Sequence, residues 1–312
     1  MKKNIFFALL PILFGFYGSH AQDALNALAN YNAMLYNPAR VGITPQYRLC
    51  VGHRSQWLLL GSPFRSQYAA FDYSFGTVGS GLGVRFQNDQ LGRLNQIKAE
   101  LLYGFHWQVS SRLMASGGMQ LGYWQRNLGI GNLIFEDQIL NGGSSTEPFI
   151  GSNTQELDLG VGGLVYTELF WLGLGLHHLN TPNLAFVQDM EPVRIRATLE
   201  SGGIIELNPQ TQAKLSAFLS YQYPYWQTLL DAELNIAGFL AGLSYKNALP
   251  RSLGHSVVVH GGFIKESWSM QLAYEWHFER ALGGSVEIGL FYALPYNNRP
   301  RKSYYDIKCP VY

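Results

Sequence analysis

IKAELLYGFHWQV, residues 97–109, reads as two faces. Ile97, Ala99, Leu101, Tyr103, Phe105, Trp107 and Val109 fall on one, and Lys98, Glu100, Leu102, Gly104, His106 and Gln108 on the other. Successive side chains of a strand point to opposite sides, so this is a strand with one greasy face and one polar or small face. WSMQLAYEWHF, residues 268–278, repeats the pattern, with Glu275 and His277 on the polar side. Residues 286–294 repeat it again, with Glu287 and Gly289 there. A soluble sandwich also alternates. These segments, however, match the length of a tilted membrane span of about 9–11 residues. Their greasy faces also end in Tyr, Trp and Phe, as interface girdles do. Leu102, Leu240 and Val258 depart from the pattern, being apolar on the inward face.

Composition points the same way. Charged residues make up 14%, against about 25% in ordinary soluble domains. The chain carries 34 Gly, 19 Tyr and 18 Phe, with a net charge of +1. Near-neutral charge gives no footprint for nucleic acid. No apolar run long enough for a helical span follows the N-terminus. The expected fold is therefore all-β, a transmembrane antiparallel β-barrel.

Lys2 and Lys3, the apolar stretch over residues 5–17 and Ser19-His20-Ala21 together read as a secretory signal peptide. Cleavage is expected after Ala21, and no lipobox Cys follows. About 14 strands are expected, beginning near residues 46, 66, 79, 95, 111, 155, 170, 193, 211, 226, 238, 254, 267 and 283. An even number suits a bacterial barrel. The longer connections (128–154, 181–192, 247–253) follow odd-numbered strands, although the alternation is not clean throughout. Short turns at one end and long loops at the other would place residues 128–154 at the cell surface and both termini in the periplasm. The expected divisions are a signal peptide (1–21), an N-terminal periplasmic or plug segment (22–45), the barrel (46–294) and a periplasmic tail (295–312).

Motifs for chemistry are sparse. The eight histidines show no HExxH spacing and no partnering CxxC. Strand alternation would send His177 and His178 to opposite sides. The Gly79–Gly83 and Gly173–Gly175 glycines alternate with apolar residues and lead into no helix, so they read as small lumen-facing residues rather than a dinucleotide loop. There is no GxSxG elbow. Glu136-Asp137 reads as a solvated acidic turn before a cation site. No catalytic residue, cofactor or metal is expected. Inward-facing charges of both signs are expected at Arg48, Arg54, Lys98, Glu100, Arg194, Arg196, Lys214, Glu275 and Glu287. Cys50 lies in the first strand and Cys309 in the tail. The secreted compartment permits a disulfide between them if the tail folds back inside, and two separate thiols is the other reading. The tail, with Arg299, Arg301 and Lys302, reads as a docking segment, a plug or a disordered end.

YNAMLYNPARVG (31–42), followed by Tyr47-Arg48 and by His53-Arg54-Ser55-Gln56-Trp57, resembles the front of the PorP/SprF family. YAAFDY (68–73), Gly81-Leu82-Gly83, LIFEDQ (133–138), DLGVGG (158–163) and GLGLHHLNTP (173–182) follow in an order similar to that family's. The resemblance runs over about residues 31–294, and the Cys-containing tail departs from it. It implies a non-enzymatic outer-membrane component of type IX secretion in Bacteroidetes. Such a component would help export or anchor large secreted adhesins with a type B C-terminal sorting domain, with a link to gliding motility. Its partners would be that cargo, other type IX components and outer-membrane lipid. The Asn37-Pro38 stretch would enter or plug the barrel before the first strand. Phe135, Gln138, Phe149 and Phe186 are the candidate contacts for cargo, with ordinary loop packing as the plainer reading. The alternative function is a porin-like solute channel.

Overall fold

The computed structural model describes residues 23–44, 46–75, 79–129, 139, 151–186, 192–249, 254–295 and 309. Fourteen strands form one closed antiparallel barrel. They are β1 (Gln46–Gln56), β2 (Phe64–Ser74), β3 (Ser80–Leu91), β4 (Leu94–Ser110), β5 (Leu113–Leu128), β6 (Asn153–Tyr166) and β7 (Phe170–His177). The second half comprises β8 (Arg196–Asn208), β9 (Thr211–Gln222), β10 (Tyr225–Ile236), β11 (Phe239–Leu249), β12 (Ser256–Lys265), β13 (Trp268–His277) and β14 (Gly284–Pro295). Neighbours in sequence are neighbours in space, and β14 closes on β1 with Gln46 opposite Pro295 and Ser55 opposite Val286. Closure leaves no edge strand in the sheet, as a hydrocarbon environment requires.

Period 2 decides which side of the wall each residue takes. In β4, Leu101 is 51% exposed on the outside while its neighbour Leu102 is 1% exposed inside. Trp268 stacks beside Tyr292 and Tyr47 beside Tyr73 at one rim, with ring centroids 4.2 and 4.8 Å apart. Amphipathic rings suit a membrane interface.

The longest connections share one end of the barrel, although those after β3 and β9 at that end are two residues each. Those after even-numbered strands are tight, such as Ala237-Gly238 between β10 and β11. Both residues there have positive φ, 52° and 91°, the geometry of a two-residue hairpin turn that matches strand twist. Asn235 Oδ1 accepts from Gly238 N at 3.0 Å to fix it. The connections after β5 and β7 span the intervals 129–152 and 178–195 at the opposite end. That end is called the long-loop end below. The other, where β1 begins and β14 finishes, is the terminal end.

Candidate functional site

Residues 23–44 run through the lumen from the long-loop end to the terminal end. Asp23 meets Lys98 near the start of β4, and its N–H donates to Gln222 Oε1 at the end of β9 (2.8 Å). Ala27 N–H donates to Glu287 near the start of β14 (2.8 Å). Asn30 donates to Asp231 within β10 (2.7 Å), and Tyr31 donates to Glu233 one turn of the pleat lower. Gly42 N–H reaches Asp72, near the terminal end of β2, at 2.7 Å. The chain then enters β1.

The lower half of this segment has a built seat. Gly81, Gly104, Gly118, Gly162 and Gly175 are direct cross-strand partners, one row across β3 to β7. Residues 36–42 lie against it. A Cβ at Gly175 would stand 2.0 Å from Tyr36 O, at Gly162 2.1 Å from Asn37 Oδ1, and at Gly118 2.3 Å from Pro38 C. At Gly104 it would stand 2.3 Å from Val41 O. These glycines are where another backbone approaches the sheet too closely for any side chain.

Side chains around the row take the segment's carbonyls one after another. Arg85 donates to Met34 O (3.0 Å), Arg196 to Leu35 O (3.3 Å), His177 Nε2 to Tyr36 O (2.9 Å) and Ser116 to Ala39 O (3.0 Å). Arg48 donates to Arg40 O (2.9 Å) and His106 Nε2 to Val41 O (2.7 Å). A carbonyl only accepts, so Nε2 carries the proton in both histidines. Asn37 accepts from Ala39 N at 3.0 Å, with Pro38 in the first position of the short Pro38–Arg40 turn. The cap and the fixed φ of proline pre-form the bend that meets the glycines.

Charges inside the barrel are paired. Arg40 forms a two-pronged pair with Glu200 (3.1 and 2.9 Å), and Arg48 another with Asp72 (2.8 and 2.6 Å). Arg54 binds Glu275 (2.5 Å) and Glu287 (3.0 Å), and Arg85 binds Glu100. Arg48, Arg54, Lys98 and Glu100 are thus all buried in the lumen. The inward apolar exceptions have an explanation in the same segment. Leu102 packs with Met34 and Val41, and Val258 with Ala27 and Leu28.

At the long-loop end, His178 departs from the expected alternation. β7 stops at His177, and His178 has φ of +60°. That left-handed backbone turns its ring inward beside His177, with both side chains buried and the rings 6.2 Å apart. His178 Nε2 faces Asp23 (2.7 Å) and Nδ1 faces Asp158 of β6 (2.8 Å). Burial opposes the imidazolium, yet the carboxylates of Asp23 and Asp158 outweigh it and hold the His178 pKa above its ordinary value. Burial likewise opposes the Asp23 carboxylate, but Lys98 and His178 hold its pKa well below the usual range.

Of the two readings for the cysteines, the structure has the separate thiols: Cys50 and Cys309 are both free and buried. Cys50 packs with Met34, Val41, Tyr68 and Leu102, whereas Cys309 packs with Ala39, Ile43, Tyr166 and Trp171. The two thiols belong to different buried clusters. Both line a cavity of about 970 Å³ at the terminal end, with Met34, Lys214, Glu233 and Phe291. Arg40 Nη1 lies 3.5 Å from Cys309 Sγ, which places Cys309 inside the barrel. Phe186 is buried, 8% exposed. Phe135, Glu136, Asp137, Gln138 and Phe149 lie outside the described residues.

The family model for the type IX secretion system membrane protein PorP/SprF matches residues 19–292. The fold is similar to that of the Ralstonia pickettii toluene transporter TbuX, at 12% identity and a TM-score of 0.52, covering 85% of this chain and 93% of that one. It is similar also to a TodX monoaromatic hydrocarbon channel carrying the deltaS2S3 mutation, at 12% identity and a TM-score of 0.50, covering 85% and 94%. At these identities the likeness is one of fold. No curated protein matches the chain.

Proposed function

Because the chain belongs to the PorP/SprF family of type IX secretion system membrane proteins, we propose that it is an outer-membrane partner for large secreted proteins, acting by recognition at the ends of a filled barrel. The observation that carries this reading is the lumen segment. Residues 34–42 rest on the glycine row, with their carbonyls taken by wall side chains. A solute path through the barrel would have to displace that segment. Recognition at the barrel ends needs no such path.

In this reading the signal peptide is removed after Ala21, and residues 128–154 face the cell exterior together with the leading end of the lumen segment at Asp23, so of the two termini expected in the periplasm only the end of β14 faces it. Cargo with a type B C-terminal sorting domain docks there, with Phe135, Gln138 and Phe149 as contacts, and its export or anchoring serves adhesion or gliding. Phe186 is buried and offers less surface to a cargo than an exposed loop residue would. Other type IX components bind at the terminal end.

The test is affinity purification of a tagged copy from native outer membranes in mild detergent. Recovery of a large exported protein, lost when residues 128–154 are shortened, supports the reading. A lone barrel that conducts ions in planar bilayers would replace it with the porin-like channel, to which the fold likeness to transporters such as TbuX lends its support.

A further inference from the structure

The two ring nitrogens of His178 face carboxylates from different parts of the molecule, Asp158 from the wall and Asp23 from the leading end of the lumen segment, whereas those of His260 both face carboxylates of β10, Asp231 and Glu233. A neutral imidazole carries one N–H and one lone pair, so it can satisfy only one of these carboxylates. The imidazolium satisfies both. Its backbone is held at φ +60°, a conformation costly for a residue with a side chain and one that clusters at functional positions.

We propose that His178 is a proton-operated latch: charged, it ties Asp23 at the leading end of the lumen segment to the wall, and neutral, it loosens that end while the residues from Ala27 onward stay held by their own bonds.

Charged groups surround the latch on every side. Lys98 of β4 lies 3.0 Å from Asp23 and 4.0 Å above the Trp124 ring, and Asp89 of β3 lies 3.9 Å from Lys98. Arg196 of β8 lies 3.8 Å from Asp23. Gln120 of β5 links Asp158 to Glu100 of β4, at 3.4 and 3.2 Å. Arg126 of β5 is held by Gln96 (2.6 Å), and His177 of β7 is committed to Tyr36 O. Cleavage after Ala21 would add an α-amino group beside Asp23, with an ordinary pKa of about 8. Lys98 and Arg196 lie beside Asp23 independently of His178. The change on deprotonation is confined to the loss of one N–H donor and one charge between two carboxylates.

The lower half has no equivalent. The glycine row is steric, and the His106 and His177 bonds to carbonyls use only the neutral ring. Opening of the leading end therefore does not require the seat to empty.

The experiment uses the full chain in detergent with Ala24→Cys carrying a nitroxide label, corrected for labelling of the parent protein. Ala24 is exposed and outside the cluster. The expected spectrum is immobilised at pH 6, with a mobile fraction that grows about tenfold by pH 9.5, the size of one charge-assisted hydrogen bond. In His178→Gln the mobile fraction is high and flat with pH. Asp158→Asn removes one of the two stabilising carboxylates and moves the wild-type midpoint to lower pH. An immobilised wild-type spectrum at every pH would overturn the latch. So would a wild-type pH profile retained in His178→Gln, since the titration would then belong to another group.

Discussion

The two halves of the lumen segment are held by different physics. Residues 23–31 are held by scattered contacts of side chain and backbone: Asp23 to Lys98 and His178, Ala27 N–H to Glu287, Asn30 to Asp231, Tyr31 to Glu233. Residues 34–42 are held by shape against the glycine row, by donors to their carbonyls and by the Arg40–Glu200 pair. The attachment at Asp23 can be tuned by one proton on His178. The seat is shared over shape and several bonds, and the carbonyl bonds in it do not depend on such a proton. The difference makes the terminal half an anchor and the long-loop half an adjustable end.

The largest way to break the contrast is Arg40→Ala. It leaves Glu200 buried without its two-pronged partner, and stranding a buried charge costs about 3–5 kcal/mol. Denaturant unfolding in detergent should show this loss, whereas Asp23→Asn, at the adjustable end, should cost far less. Next, Gly118→Val sets a side chain into the Pro38 backbone, a clash of about 1–3 kcal/mol or more. Gly117→Val on the outer face, where a Cβ meets nothing closer than Trp107 at 3.8 Å, should leave the unfolding midpoint close to wild type. Ser116→Ala removes one donor, from Ala39 O, and should cost about 0.5–1.5 kcal/mol in the same assay.

The smallest effect is on pH. The folded pKa of His178 is raised by the carboxylates that outweigh its burial. Its contribution is therefore complete below the unfolded value of about 6.5 and is lost as pH rises through the folded value. The depressed Asp23 pKa acts at the other end of the scale. Its contribution is present above the ordinary Asp value of about 3.9 and is lost as pH falls toward the folded value. Thermal unfolding at pH 6 and pH 9 should show a wild-type decrease that His178→Gln lacks.

Much of the wall could be read from alternation alone. The expected start at 46 coincides with Gln46 of β1 and that at 170 with Phe170 of β7, because turn residues there stand directly before a period-2 run. The start expected near 193 falls short of Arg196, since 192–195 carry strand-like residues without strand pairing. The site was less legible for a physical reason. Leu102 and Val258 looked like flaws in an alternating pattern and are contacts to a segment far away in sequence. The glycines stood out singly, but their alignment into a row depends on the register of five strands. His178 was misread because alternation holds only while the strand lasts, and its positive φ ends it. The two cysteines share a cavity without sharing a bond, which spacing along the chain could not decide.

The central claim is that residues 34–42 are a fixed part of the barrel interior. Hydrogen exchange of the full chain in detergent tests it most directly, through peptides covering 34–42 compared with those covering β4 and β5. The amides of Asn37, Arg40, Val41 and Gly42 are all bonded internally, so the account predicts protection comparable to the strands beneath them. Exchange of that stretch as fast as an unstructured peptide, with the strands still protected, would contradict it.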